Sequence, residues 1–248
     1  MTALIGKLWW PFLRYGALLW TMPLIGDLLP TPQVRVLLAL LLAIITAPLL
    51  PPLPAVEPLS IAAALIALEQ ILLGVLLGLA LQILFTALTM LGQILSLQMG
   101  LAMAVMNDPV NGQSVPLLGQ LMMILGGLLF LAIDGHLIAI DVMVESFFAW
   151  QPGAGAFALS LERVVALFGW LFGAALVLAM PAVIAMLLVN LTFGVMNRSA
   201  PALNIFSLGF PIGLLMGMVF LLFSISGVPG RFVEFTGYVL DQMRALLY

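Results

Sequence analysis

From Gln70 to Asn107 the chain runs without one charged side chain. A stretch of that length must be buried among other apolar elements or immersed in lipid. In lipid, only helices and closed barrels satisfy their own backbone hydrogen bonds. The rest of the sequence narrows the choice. Charged residues make up 7% of the 248, against about a quarter in soluble domains, and the mean hydropathy is +1.30. Too few charges exist to cover a water-facing surface. No strand alternation appears anywhere, so the chain reads as an all-α integral membrane-type protein.

Hydropathy marks successive segments near the length a bilayer requires, about 20 residues. The first covers about Leu4 to Leu29, kinked or broken near Pro11 and Pro23, with Trp9, Trp10 and Trp20 suited to an interfacial belt. It lacks the pattern of a cleavable signal peptide. The second covers about Val34 to Leu50 and ends in PLLPPLPAVEP, which predicts a stiff extended connector. The third, about Leu59 to Met106, would reach roughly 70 Å as one helix, about twice the hydrocarbon core. No proline interrupts it; Gly74, Gly78 and Gly92 are candidate flexing points.

That segment carries a polar seam, Gln82, Thr86, Thr89, Gln93, Ser96 and Gly100, alternating by four and three residues. Small and polar side chains are the usual glue between membrane helices, so the seam packs on another helix or faces a wet lumen. Met99, Met103 and Met106 follow at helical spacing and would share one face. Then comes Asn107-Asp108-Pro109-Val110-Asn111-Gly112-Gln113-Ser114, a loop-former by chemistry. The proline excludes the α region for the residue before it, and Asn-Gly tolerates positive φ. The methionines around this loop either fill irregular gaps or form a deformable seal of the kind that gates pores.

A fourth segment runs from Val115 to Ile133 and ends at Asp134-Gly135-His136. A fifth carries Asp141 and Glu145 at i, i+4 on one side. Gln151 to Ala156 is a flexible break and the best internal boundary, dividing a region 1–158 from a region 159–248. Between Arg163 and Arg231 the only charge is Arg198, in MNRSAPALN. Two apolar arms around that turn predict a helical hairpin, kinked at Pro181 and Pro211. The tail after Gly230 is amphipathic, with Phe232, Phe235, Val239 and Leu246 opposite Glu234, Asp241 and Arg244. It is expected to lie against partners or a headgroup layer.

Catalytic chemistry finds little support. There is no cysteine and one histidine, so the usual zinc ligand set is missing, as is any HExxH motif. Asp134 and His136 suit a helix terminus, or a proton relay. Asp141 and Glu145 suit a solvated or partner-facing side, or acid–base work without a positioned nucleophile. Glu69, flanked by Leu68 and Ile71, is the most buried-looking carboxylate, with Arg14 or Arg35 as a possible partner. No phosphate-binding loop follows a strand, and no basic patch argues for nucleic acid. No catalytic, metal or cofactor-binding residue is expected.

The run GLAMAVMNDPVNGQSVPLLGQ, then LLFLAIDGHL, then RSAPALNIFSLGFPIG, resembles the FliR/SctT family of type III export-gate proteins across nearly the whole chain. The resemblance implies a FliP-like part, residues 1–158, followed by a FliQ-like hairpin, residues 159–248. It implies a stable helical hetero-oligomer with FliP and FliQ homologues, working with FlhB and FlhA homologues on unfolded export substrates. The location implied is the bacterial inner membrane and flagellar basal body, largely at the periplasmic level. The loop would plug the closed channel, with Met103 and Met106 sealing and Met106 to Val115 as the stopper. The turn with Met196, Asn197, Arg198 and Asn204 would lie at the cytoplasmic entrance.

A secondary transporter of a small solute is the main competing reading, because glycines and prolines interrupt the helices; it lacks an evident internal repeat. An unpartnered seam predicts that the chain expressed alone in detergent aggregates or is degraded. Size-exclusion chromatography checks this, and a monodisperse monomer would contradict it.

Overall fold

The computed structural model describes residues 2–23, 31–54, 56–57, 60–101, 117–153, 161–199 and 205–247. Among them are eight α-helices and no strand. They are α1 (Thr2–Thr21), α2 (Pro32–Thr46), α3 (Ile61–Gln98), α4 (Leu117–Ala132), α5 (Gly135–Ala149), α6 (Leu161–Ser199), α7 (Ile205–Ile225) and α8 (Val228–Ala245). Among the described residues three stretches, Pro32–Leu49, Ile61–Gln98 and Glu162–Met196, are long and apolar enough to cross a membrane. The number rises to five if the helix pairs broken at 133–134 and 226–227 each count as one span.

Helix ends follow local chemistry. α1 runs unbroken through Pro11 and stops at Thr21. α2 starts at Pro32, whose missing N–H costs nothing in a first turn. A 3-10 turn, Ala47–Leu49, follows it, and Leu50 (φ −81°, ψ 153°) begins the extended proline connector. Ser60 starts α3: its Oγ accepts the Ala63 amide at 3.1 Å, the bond an N-cap serine makes. α3 is then one uninterrupted helix of 38 residues, roughly 57 Å long.

α3 ends earlier than the expected Met106. Gly100 takes φ 74°, with Leu101 N–H on the Ser96 carbonyl and Gly100 N–H on the Leu97 carbonyl. That pair of bonds is a Schellman stop, which needs a left-handed residue that glycine supplies without strain. The rest of the expected methionine face, Met103 and Met106, lies outside the described residues. α6 also differs from expectation, holding Met196, Asn197 and Arg198 in its last turn instead of a loop. Only Pro201 disfavours the helical region for the residue before it, so α6 persists to Ser199.

The chain forms two compact units, each described by itself. The first comprises residues 1–84, 130–168 and 236–248. In this unit α3 lies against α1 through Gly74 and Gly78: a Cβ on Gly74 would overlap the Arg14 carbonyl, and one on Gly78 would overlap Thr21 Oγ1. Two glycines four apart are the usual device for backbone contact between membrane helices. Nearby, Trp10, Ala63 and Ile66 form a small core with Leu13 and Leu53, and Trp10 Nε1 donates to the Pro54 carbonyl at 3.1 Å.

At the centre of this unit is Arg14, fully buried. Its guanidinium donates from Nε to Gln70 Oε1 at 2.8 Å, from Nη1 to Ser146 Oγ at 2.9 Å and from Nη2 to the Trp150 carbonyl at 2.9 Å. The Phe147 ring lies 3.9 Å beneath it. The Glu69 carboxylate accepts the Gly153 amide at 3.1 Å. Trp150, just before the expected break, is thus anchored to α1, and Gly153 within it to α3.

The amphipathic tail also departs from expectation. Val239, Leu240, Met243 and Leu246 are buried within the chain, not left for a partner. Arg244 closes over α5, reaching Asp141 at 3.2 Å and Glu145 at 3.3 Å. The i, i+4 carboxylates serve as a two-toothed clamp, partly exposed and so of small energetic weight.

Removing the Arg14 side chain strands acceptors on α3 (Gln70) and on α5 and its C-cap (Ser146, Trp150). Arg14→Ala is expected to cost about 3 kcal/mol, read as a lower thermal midpoint of the purified protein in detergent. An unchanged midpoint would show that the cluster does not hold the unit together.

Candidate functional site: a glycine-notched hairpin at the polar loop

The second compact unit comprises residues 85–129 and 169–235. It contains both ends of the segment that the sequence singled out. Met103, Met106, Asn107, Asp108, Pro109, Val110, Asn111, Gly112, Gln113, Ser114 and Val115 lie outside the described residues. The arms that hold them do not.

Three glycines let the end of α3 and the start of α4 touch. A Cβ on Gly92 would overlap the Leu118 carbonyl, and one on Gly126 would meet the Leu88 side chain. A Cβ on Gly119 would sit 3.4 Å from Thr89 Cγ2 and 3.5 Å from Gln93 Cγ. Gly92, near the end of α3, meets Leu118 at the start of α4, and Leu88 further back meets Gly126 further on, so the arms are antiparallel. Gly92, read as a flexing point, is instead a packing notch.

The seam divides along its length. Thr89 and Gln93 are half-buried against Gly119, and Thr89 Oγ1 donates to the Phe85 carbonyl at 3.0 Å. Thr86 is half-buried and Gln82 exposed. Ser96 is fully buried, and its Oγ has no hydrogen-bond partner among the described residues. Directly beyond it, Met99 is buried against α7, filling the space that Gly217 leaves open. The C-terminal end of α3 is thereby held on a second side. Elsewhere in this unit Phe85 packs edge-on to Phe232 and Trp170 edge-on to Phe235.

At the other predicted turn, Met196 and Arg198 are exposed, Asn197 is helical, and Asn204 lies outside the described residues. Asp134 adopts the left-handed region at φ 55° and starts α5 without a side-chain cap. Gly135 beside it leaves room for the Phe130 ring. The notch glycines were missed as a constellation, although their spacing with small neighbours was the available signal. The Arg14 cluster was missed because its partners are distant in sequence. Among the described residues no three His, Cys, Asp or Glu side chains gather as a metal site.

These features define a helical membrane-type protein whose helices pack closely at glycines, with α3 and α4 tightly joined. Residues 5–238 match the family described as bacterial export proteins, family 1. The chain belongs to that family, the family of FliR. It is 36% identical over 247 residues to the flagellar biosynthetic protein FliR of Pectobacterium carotovorum subsp. carotovorum, covering 98% of this chain and 93% of that one. Against FliR of Escherichia coli strain K12 the identity is 37% over 214 residues, 84% and 80% of the two chains. Against FliR of Bacillus subtilis strain 168 it is 27% over 243 residues, 95% and 92%.

The hairpin can be tested against a glycine in open space. Gly92→Ala forces α4 away and is expected to cost roughly 2 kcal/mol, whereas Gly169→Ala, with nothing within 4 Å, should be neutral or stabilising. Thermal midpoints of the two variants decide it; equal midpoints would remove the notch.

Proposed function

We propose that the chain is a core subunit of the flagellar type III protein export gate in the bacterial inner membrane, forming part of its polypeptide-conducting channel. The loop from Met106 to Val115 is its plug, with Met103 and Met106 as the sealing side chains. The observation that carries this reading is the α3–α4 hairpin, whose arms are locked at Gly92, Gly119 and Gly126 on either side of a polar segment. Family membership, and relatives named as flagellar biosynthetic proteins, support it.

A closed export channel must block ions and yet pass a chain on demand. That task needs no catalytic group. A loop fixed at both ends by rigid helices stays in register with a lumen, yet belongs to the part of a structure that opens most cheaply. Energy comes from other components of the apparatus. Residues 1–158 act as the FliP-like part and 159–248 as the FliQ-like hairpin, with Met196 to Asn204 at the cytoplasmic entrance. FliP and FliQ homologues complete the channel wall at the periplasmic level, and FlhB and FlhA homologues act with it on unfolded substrates. An α3 of roughly 57 Å, too long for a hydrocarbon core of about 30 Å, favours surroundings made partly of protein.

Deleting Asn107 to Ser114 should leave the hetero-oligomer intact while raising the permeability of the cell to ions or small solutes. Co-purification checks the first half and a conductance or dye-uptake assay the second. An assembled complex with unaltered permeability would remove the plug.

A further inference from the structure

A groove of about 360 Å³ opens in the second unit, where α6 passes the elbow between α7 and α8. Its walls are apolar, with Pro181 on α6 and Phe220 and Phe223 on α7. At the elbow the lining changes to Ser224, Ser226 and Arg231. The large ring of Phe223 is 75% exposed, so the groove is open along its apolar side.

The elbow is also where charge begins. α7 has no charged residue, whereas α8 carries Arg231, Glu234, Asp241 and Arg244. An arginine at such a boundary sits where lipid headgroups sit, its stem against apolar surface and its head in the polar layer. The groove therefore has the polarity order of an amphiphile: a hydrocarbon slot that ends on hydroxyls and a cation.

We propose that this groove holds one acyl chain of an anionic phospholipid, with the phosphate against Arg231. Arg231 Nη1 contacts Glu234 Oε2 at 3.2 Å, with both side chains more than half exposed. Such a pair contributes little in water and exchanges readily for a phosphate, which offers the guanidinium two parallel charge-assisted bonds. Ser226 Oγ already donates to the Phe223 carbonyl at 2.8 Å, so recognition of the headgroup falls chiefly to Arg231. The assignment does not depend on the export role, since it uses only the groove and its charge.

The test uses the full chain purified with its partner subunits in detergent. Mixed micelles supply phosphatidylglycerol or phosphatidylcholine, and native mass spectrometry counts retained lipid. Phosphatidylglycerol is expected to be retained about five-fold over phosphatidylcholine, the ratio that one basic side chain near a headgroup supplies. Arg231→Gln should abolish that preference. Arg163→Gln, an exposed arginine outside the groove, should keep it, and Glu234→Gln should keep or raise it. Equal retention of the two lipids would overturn the proposal, as would an unaltered preference in Arg231→Gln. So would displacement of the lipid by millimolar inorganic phosphate, which would mark a soluble-anion site. Photocrosslinking from position 223 to another protein subunit would also overturn it, because protein would then fill the groove.

Discussion

Close contact at Gly74 and Gly78, where α3 meets the Arg14 backbone and the Thr21 side chain of α1, sets the terms for the first unit. Helices in apolar surroundings gain nothing from hydrophobic association, because lipid tails are as apolar as leucine. What remains is van der Waals packing, which falls away steeply with a gap of even 0.5–1 Å. Glycine removes the side chain that would hold two backbones apart. The same device recurs further along α3, where Gly92 admits the Leu118 backbone and Gly126 on α4 admits the Leu88 side chain. α3 thus works as a long rail, notched at intervals where other helices must seat.

Close packing alone would leave the first unit held by weak, undirected forces. Arg14 adds direction. Taking a guanidinium out of water costs several kcal/mol, and the cost is offset only where its donors are met. Here they reach α3 at Gln70, α5 at Ser146 and the exit of α5 at Trp150, with the Phe147 ring face adding a cation–π contact. A charge so placed tolerates few arrangements of those segments, which gives the unit a definite register that leucines by themselves do not impose. Glu69 on Gly153 extends the same anchoring by one more turn of chain.

The loop hairpin and the lipid groove draw on the same chemistry in different ways. At the hairpin, small residues let the end of α3 and the start of α4 pack closely. At the elbow, the first charges after a charge-free helix mark where a hydrocarbon surrounding gives way to a polar one. Both features belong to one compact unit, and both depend on helices stopping at particular residues. Gly100 stops α3 by its left-handed backbone, and the turn at Ser226 and Gly227 stops α7.

The sequence by itself determined the helical class, the order and approximate limits of the segments, the unbroken course of α3, and the family. Each follows from one-dimensional facts: scarce charge, apolar run length, and the turn chemistry of proline and glycine. It misplaced the end of α3, because a glycine in a helical stretch looks the same whether it flexes, packs or caps. It left the tail of α8 for partners or a headgroup layer, because amphipathicity shows that a face is buried and not by what; much of it is buried within the chain. It named Asp141 and Glu145 without Arg244, and Arg14 without Ser146 and Trp150. Those groups are separated by about a hundred residues or more, and only the tertiary structure brings them within hydrogen-bond reach. Local backbone preference is written in neighbouring residues, whereas the pairing of buried polar groups is settled by which helices pack together.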